Sequence, residues 1–152
     1  WEICGSHRRR MPTSGDIDLL FTIKNRSPKD KKNYLRKLVN HMKKANIVVD
    51  DLTLSGSTKY MGFCRFDNYP LARRIDIRYV PYKSYYTALL YFTGSKKFNV
   101  DMRNNALDNG YSLSEYSMTN TETGEELTFD SEKEIFDKLD MNYLWPQDRN
   151  DI

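Results

Sequence analysis

"CGSHRRRMPTSGDIDLLFT", Cys4 to Thr22, sets two kinds of chemistry side by side. A Gly-Ser pair and three arginines open it, and Gly15 then leads into Asp16 and Asp18, one apolar residue apart. "DIDLLFTI" (16–23) reads as a short strand. Alternate residues of a strand share a face, so Asp16 and Asp18 project together while Ile17 turns into the core. Their backbones then lie about 7 Å apart, which lets two carboxylates share one hard cation or hold two. Ordinary solvent-facing strands also produce such pairs, so the rest of the chain has to decide.

Working outward, "WEICG" (1–5) reads as a strand, and "SPKDKKNYLRKLVNHMKKAN" (27–46) as a helix. Ser27 is its expected cap, Pro28 fits the first turn and Asp30 completes a capping-box pattern. Leu35, Leu38, Val39 and Met42 recur at helical spacing, and the lysines read as a solvated face. Strands are expected at "IVVDDLTL" (47–54), "TKYMGFCRF" (58–66) and "ARRIDIRYV" (72–80), the last two joined as a hairpin by "DNYPL" (67–71). After Pro81 the pattern turns helical through "YKSYYTALLYF" (82–92). "TGS" breaks it, Ser95 caps a second helix (96–109), and Gly110 stops that helix. A small hairpin around Gly124 and a short helix from Ser131, with Glu134 completing a capping box, finish the chain. This order predicts an α+β fold with a larger unit at 1–86 and a smaller one at 87–152.

The 152 residues, 39% hydrophobic and 13% aromatic, suffice for a packed core. No apolar run approaches a membrane span and no signal peptide is visible, so no membrane partner is expected. A chain that opens inside a strand, on Trp1, reads as a fragment of a longer protein. Cys4 and Cys64, the only cysteines, have no metal-site spacing and read as buried free thiols of a reducing, intracellular compartment. His7 and His41 are isolated. The net charge of +3 permits a nucleic-acid partner without requiring one. Abundant Asn, Lys and Tyr hint at an AT-rich genome, and so at a virus.

A second strand adds to the carboxylates. In "RRIDIRYV" (73–80), Arg74, Asp76 and Arg78 fall on one face and Ile75, Ile77 and Tyr79 on the other. Asp76 beside Asp16 and Asp18 would be a third carboxylate, and three acids close together repel unless cations neutralise them. Two Mg²⁺ ions suit such a set, with no need for histidine or thiolate ligands. Gly5 allows close approach to the backbone, Ser6 offers a hydroxyl and an N–H, Arg9 a guanidinium fork, and Gly15 an unobstructed N–H. Together these could hold a triphosphate.

"CGSHRRRMPTSGDIDLL", "TKYMGFCR", "RRIDIRYVP", "YFTGSKKFNVDMR", "SEYSM" and "DSEKEIFDKLDMNYLWPQDR", in this order, resemble the family X DNA polymerases, in the pattern of DNA polymerase beta and its relatives. The resemblance runs through nearly the whole chain. It implies a nucleotidyltransferase palm with a mixed or antiparallel sheet, followed by a small nucleotide-binding subdomain. The lyase and DNA-gripping domains of such enzymes would precede Trp1. It further implies DNA-directed DNA synthesis on gapped or primed DNA from dNTPs, with two Mg²⁺ ions (Mn²⁺ substituting), as a monomer filling gaps in base excision repair. The setting would be the nucleus of a eukaryote, or the virion or host cell of a virus.

By the same resemblance, Asp16 and Asp18 would bind both metals and Asp76 the catalytic one. Asp76 would take the primer hydroxyl's proton, and Arg74 would orient Asp76. Ser6, Arg9 and Gly15 would hold phosphates. Tyr91, Phe92 and Gly94 would receive the sugar, and Asn99 the minor-groove edge of the incoming base. Lys59 and Arg103 would meet DNA, and Tyr116, with Glu115, would join the network of the closed form. Arg10 stands where close relatives have glycine, Lys96 where the pattern has aspartate, and Val100 where it has lysine. The departures at Lys96 and Val100 bear on fidelity and template dependence, and Arg10 has no assigned role. The alternatives are a template-independent nucleotidyltransferase and a catalytically inactive DNA-binding module.

Overall fold

A computed structural model describes residues 1–13, 15–66 and 70–150. Its centre is a five-stranded mixed sheet built from β1 (Glu2–Ile3), β2 (Ile17–Phe21), β3 (Val48–Asp51), β4 (Lys59–Cys64) and β5 (Arg73–Tyr79). The spatial order is β1-β2-β5-β4-β3. β2 and β5 run parallel at the centre, and every other pair is antiparallel. A second, three-stranded sheet holds β6 (Tyr111–Leu113), β7 (Met118–Asn120) and β8 (Glu126–Leu127). The helices are α1 (Gly5–Arg8), α2 (Tyr34–Lys44), α3 (Tyr85–Thr93), α4 (Lys96–Asp108) and α5 (Glu132–Lys138). The α+β expectation holds. Among the described residues no helix is long and apolar enough to cross a membrane.

The period-2 pattern of the strands sorts the central sheet into two faces. Phe21, Tyr60, Cys64, Ile75 and Ile77 face α2 and close a core with Leu35 and Val39. Each fully buried aliphatic side chain there contributes about 1.5–3 kcal/mol. Asp18, Leu20, Asp76 and Arg78 point the other way. α3 covers only part of that face, where Leu20 packs with Cys4, Tyr85, Ala88 and Leu89. One helix too short to span the sheet thus leaves its polar half open. Leu90, also on α3, packs into a further core with Phe98, Met102, Met118 and Phe136. α3 therefore stands between the two sheets, and a boundary drawn at residue 86 falls within it.

Several local expectations change. Gly5 does not extend the first strand: it opens α1 at φ +64°. α2 begins at Tyr34, and its cap is Asn33, whose Oδ1 accepts from Arg36 N at 2.9 Å. Ser27 and Asp30 instead cap turns, accepting from Lys29 N and Lys32 N. The later caps form as expected at Ser95 and Ser131, which accept from Phe98 N and Glu134 N. Glu134, however, reaches back to Asp130 N rather than to the cap residue. The expected hairpin loop falls mostly on residues 67–69, outside the described residues, although β4 and β5 do pair antiparallel. Cys4 and Cys64 are both free and buried, and burial pushes the Cys4 thiol up to about 12.

Candidate active site

The parallel register sets Asp18 directly beside Asp76, with backbones about 4.8 Å apart. Asp16 precedes β2 by one residue at the open end of the same edge. Burial raises the Asp18 pKa, repulsion from Asp76 and Asp16 adds to the rise, and Arg78 and Arg74 oppose it. Both other carboxylates therefore act on Asp18, and the negative field they add there favours a cation. Among the described residues no group of three His, Cys, Asp or Glu side chains is gathered to hold an ion unaided. The donors are hard oxygens, which suit Mg²⁺, an ion that binds through one or two carboxylates and completes its shell with water and phosphate.

Arg74 Nη2 donates to Asp76 Oδ1 at 2.8 Å, while its buried Nε has no partner among the described residues. On the Asp18 side the α1 turn closes in. Cys4 N donates to Asp18 O at 2.7 Å, and a Cβ on Gly5 would sit 2.8 Å from Asp18 Oδ2. The glycine of "CGS" is thus required twice, by its positive φ and by the carboxylate against it. Ser6 follows within α1. Gly15 lies at the surface with open space where a side chain would project.

Arg9, expected to face phosphate, is already engaged. Its Nη1 donates to Thr93 O at 2.6 Å and its Nε to Asn150 Oδ1 at 2.8 Å. That bond brings α1 to the "TGS" turn, where Gly94 takes φ +66° and the Gly94–Ser95 peptide is cis. Arg8 runs deeper, donating to Thr93 Oγ1 and, through both terminal nitrogens, to Glu132. Arg149, 0% exposed at its side chain, meets the same carboxylate at 2.9 Å, amid the rings of Phe98, Phe136 and Tyr143. Sequence reasoning missed Glu132, Arg149 and Asn150. Glu132 and Asn150 lie more than 120 residues from Arg8 and Arg9, Arg149 joins them only through Glu132, and nothing local marks them.

Arg10 takes φ +58°, in the left-handed region that disfavours a Cβ. The expected glycine at this position has a backbone reason. Arg10→Gly should leave stability unchanged or raise it, and Arg10→Val should lower it by about 1–2 kcal/mol, read from urea midpoints.

The remaining candidates line the open side. Phe92 lies under the Arg78 guanidinium at 4.6 Å, and Tyr91 meets Phe92 edge-on. Asn99 Nδ2 donates to Tyr91 O at 2.8 Å, and Arg103 lines the same small hollow as Tyr91 and Asn99. Lys96 and Val100 are exposed on α4. Tyr116 is exposed in the β6–β7 turn, which Thr87 Oγ1 ties to α3 through Glu115 O. Lys59 starts β4 opposite Arg78, in line with the Asp76 face.

The chain matches the DNA polymerase beta palm over residues 1–82 and the DNA polymerase beta thumb over residues 88–150. It is 34% identical to DNA polymerase lambda of Rattus norvegicus and 31% identical to that of Arabidopsis thaliana, each across 97% of this chain and 28% and 31% of those proteins. It is 32% identical to the DNA polymerase/3'-5' exonuclease PolX of Bacillus subtilis, across 95% of this chain and 23% of that protein. The chain thus spans about a quarter to a third of the length of these relatives.

Proposed function

The chain belongs to the family X DNA polymerases, and on that premise we propose that it forms the palm (1–86) and nucleotide-binding subdomain (87–152) of a DNA-directed DNA polymerase that fills gaps in base excision repair. The observation that carries this reading is Asp18 beside Asp76 in parallel register, with Arg74 on one carboxylate and the Gly5 turn on the other.

Asp16, Asp18 and Asp76 would hold two Mg²⁺ ions, replaceable by Mn²⁺, which supply charge neutralisation and acidify the primer hydroxyl. Asp76 accepts the 3′-hydroxyl proton. Arg74 fixes the orientation of Asp76 and limits its basicity. The hydroxyl oxygen attacks the α-phosphate of a dNTP in line, and pyrophosphate departs. Ser6 and Gly15 bind the leaving phosphates. Arg9 joins them by exchanging Thr93 O and Asn150 Oδ1 for phosphate oxygens. Tyr91, Phe92 and Gly94 receive the sugar, Asn99 the base edge, and Lys59, Arg103 and Tyr116 the DNA strands. Closure of the small subdomain over the nucleotide completes the site.

Incorporation of single nucleotides on gapped and on blunt single-stranded DNA tests the reading. The nucleotide complementary to the template should dominate on gapped DNA. Equal use of all four nucleotides, whatever the template, would replace it with template-independent transfer, a reading that exposed Val100, in place of a cation beside the template base, keeps open.

A further inference from the structure

From Lys24 to Lys44 the chain carries nine Lys and Arg against the single acid Asp30, a formal +8 in a chain whose total is +3. Everything outside these 21 residues is therefore net negative, at −5. Eight of the nine cations are exposed. Two exposed lysines elsewhere meet acids one helical turn on, Lys97–Asp101 and Lys133–Asp137, and at the end of the segment Lys43 meets Asp51. Here, among the described residues, Lys24, Lys29, Lys31, Lys32, Arg36 and Lys37 enter no ion pair. So dense a single-sign surface repels itself and persists at a cost in stability unless a polyanion meets it.

The surface is also anchored. Arg26 is the one half-buried cation of the group, held between the rings of Tyr34 and Tyr79. It donates to Tyr79 Oη at 2.9 Å and Lys32 O at 2.7 Å, which fixes the course of residues 26–32. Lys83 shares the adjoining hollow with Arg26 and Lys31. Tyr79 N donates to Thr58 O, and Asn33 Nδ2 to Gly56 O. The basic segment thus abuts the loop that ends at Lys59, whose register partner is Arg78. Lys59 and Arg78 lie on the Asp76 face, whereas Arg26, stacked on Tyr79 and Tyr34, lies on the α2 face, so the cations of 26–32 continue those of Lys59 and Arg78 around the end of the sheet. Tyr79 lies three residues beyond Asp76 on β5, about 10 Å, or about three base pairs of duplex rise.

We propose that residues 24–37 form a second DNA-backbone surface, which grips the duplex beginning about three base pairs from the primer terminus. The proposal rests on the polymerase reading, because that reading puts the primer terminus at Asp76. The contacts are to phosphates and carry no sequence preference.

The test is a full-length variant with Lys24→Gln, Lys29→Gln, Lys31→Gln and Lys32→Gln, all exposed and outside the catalytic constellation. Binding to hairpin primer-templates with stems of four and twenty base pairs is followed by anisotropy from 50 to 200 mM salt, alongside incorporation at saturating DNA. On the long stem the salt slope of the variant should be shallower by about 3.6, so that wild type loses about 100-fold more affinity across that range. On the short stem the two proteins should bind within about threefold, and their saturated rates should match. Equal slopes on the long stem would overturn the proposal. Equal losses on both stems would also overturn it, by showing diffuse attraction rather than a duplex-tracking surface. A wild type that incorporates nothing would bring down the polymerase reading instead, while the slopes still decide the surface.

Discussion

Asp76→Ala should lower nucleotide incorporation by the full-length protein at least about 1,000-fold while leaving nucleotide affinity within about threefold of wild type. The split follows from where the carboxylate sits. Asp76 lies at the primer side of the pair, bonded to Arg74, whereas the turn assigned to the phosphates packs against Asp18. Removing Asp76 deletes the proton acceptor and one pole of the cation field. Gly5, Ser6, Asp16 and Asp18 remain. Folding should survive, because the Arg74–Asp76 pair is about a quarter exposed and such pairs contribute about 1 kcal/mol or less. Rapid-quench incorporation beside a nucleotide titration measures both quantities. Near-wild-type turnover would remove Asp76 from the chemistry, and a parallel collapse of nucleotide affinity would make it a binding residue.

How much of this was readable from the residues alone depends on range. Alternation along "RRIDIRYV" was enough to assign each residue its face, because strand periodicity is a local property. The adjacency of Asp18 and Asp76 was not, since more than fifty residues separate them and no local rule sets a parallel register. The resemblance supplied what spacing could not. The start of α2 went wrong for a physical reason. Ser27, Asp30 and Asn33 all have cap chemistry. The choice is made by Arg26, which holds Lys32 O and two tyrosine rings and so keeps 26–32 out of the helix. Asp30 is then occupied by Lys32 N and the Tyr34 hydroxyl. The lysines read as a solvated face for a similar reason: that Lys29, Lys31, Lys32 and Lys37 enter no ion pair among the described residues, while Lys43 meets Asp51, emerges only when the whole surface is assembled.

Glu132→Gln should destabilise the protein by about 3–5 kcal/mol, the cost of leaving buried charge uncompensated. The carboxylate is 5% exposed, and it receives Arg8 at 2.6 Å and Arg149 at 2.9 Å, with the two arginine side chains 14% and 0% exposed. Two cations in this setting with an amide between them have no counter-charge, and Arg149 has no route to water. The contrast is Asp137→Asn, which breaks the exposed Lys133–Asp137 pair and should cost no more than about 0.5 kcal/mol. The pH dependence carries a sign of its own. Burial alone would raise the Glu132 pKa, but the hydrogen bonds and charges of Arg8 and Arg149 outweigh it and hold it below the ordinary value. A group depressed in the folded state contributes stability above its unfolded pKa and loses it as pH falls through the folded one. Wild type should therefore lose stability as pH drops below about 4.3, and in Glu132→Gln that part of the acid limb should flatten. The effect reaches the site, because Arg8 and Arg9 are consecutive and Gly5 of the same turn touches Asp18. Urea unfolding across pH 3 to 7 gives both readings. A loss no larger than that of Asp137→Asn, or an acid limb unchanged by the substitution, would show that the three charges do not hold the α1 turn against α5.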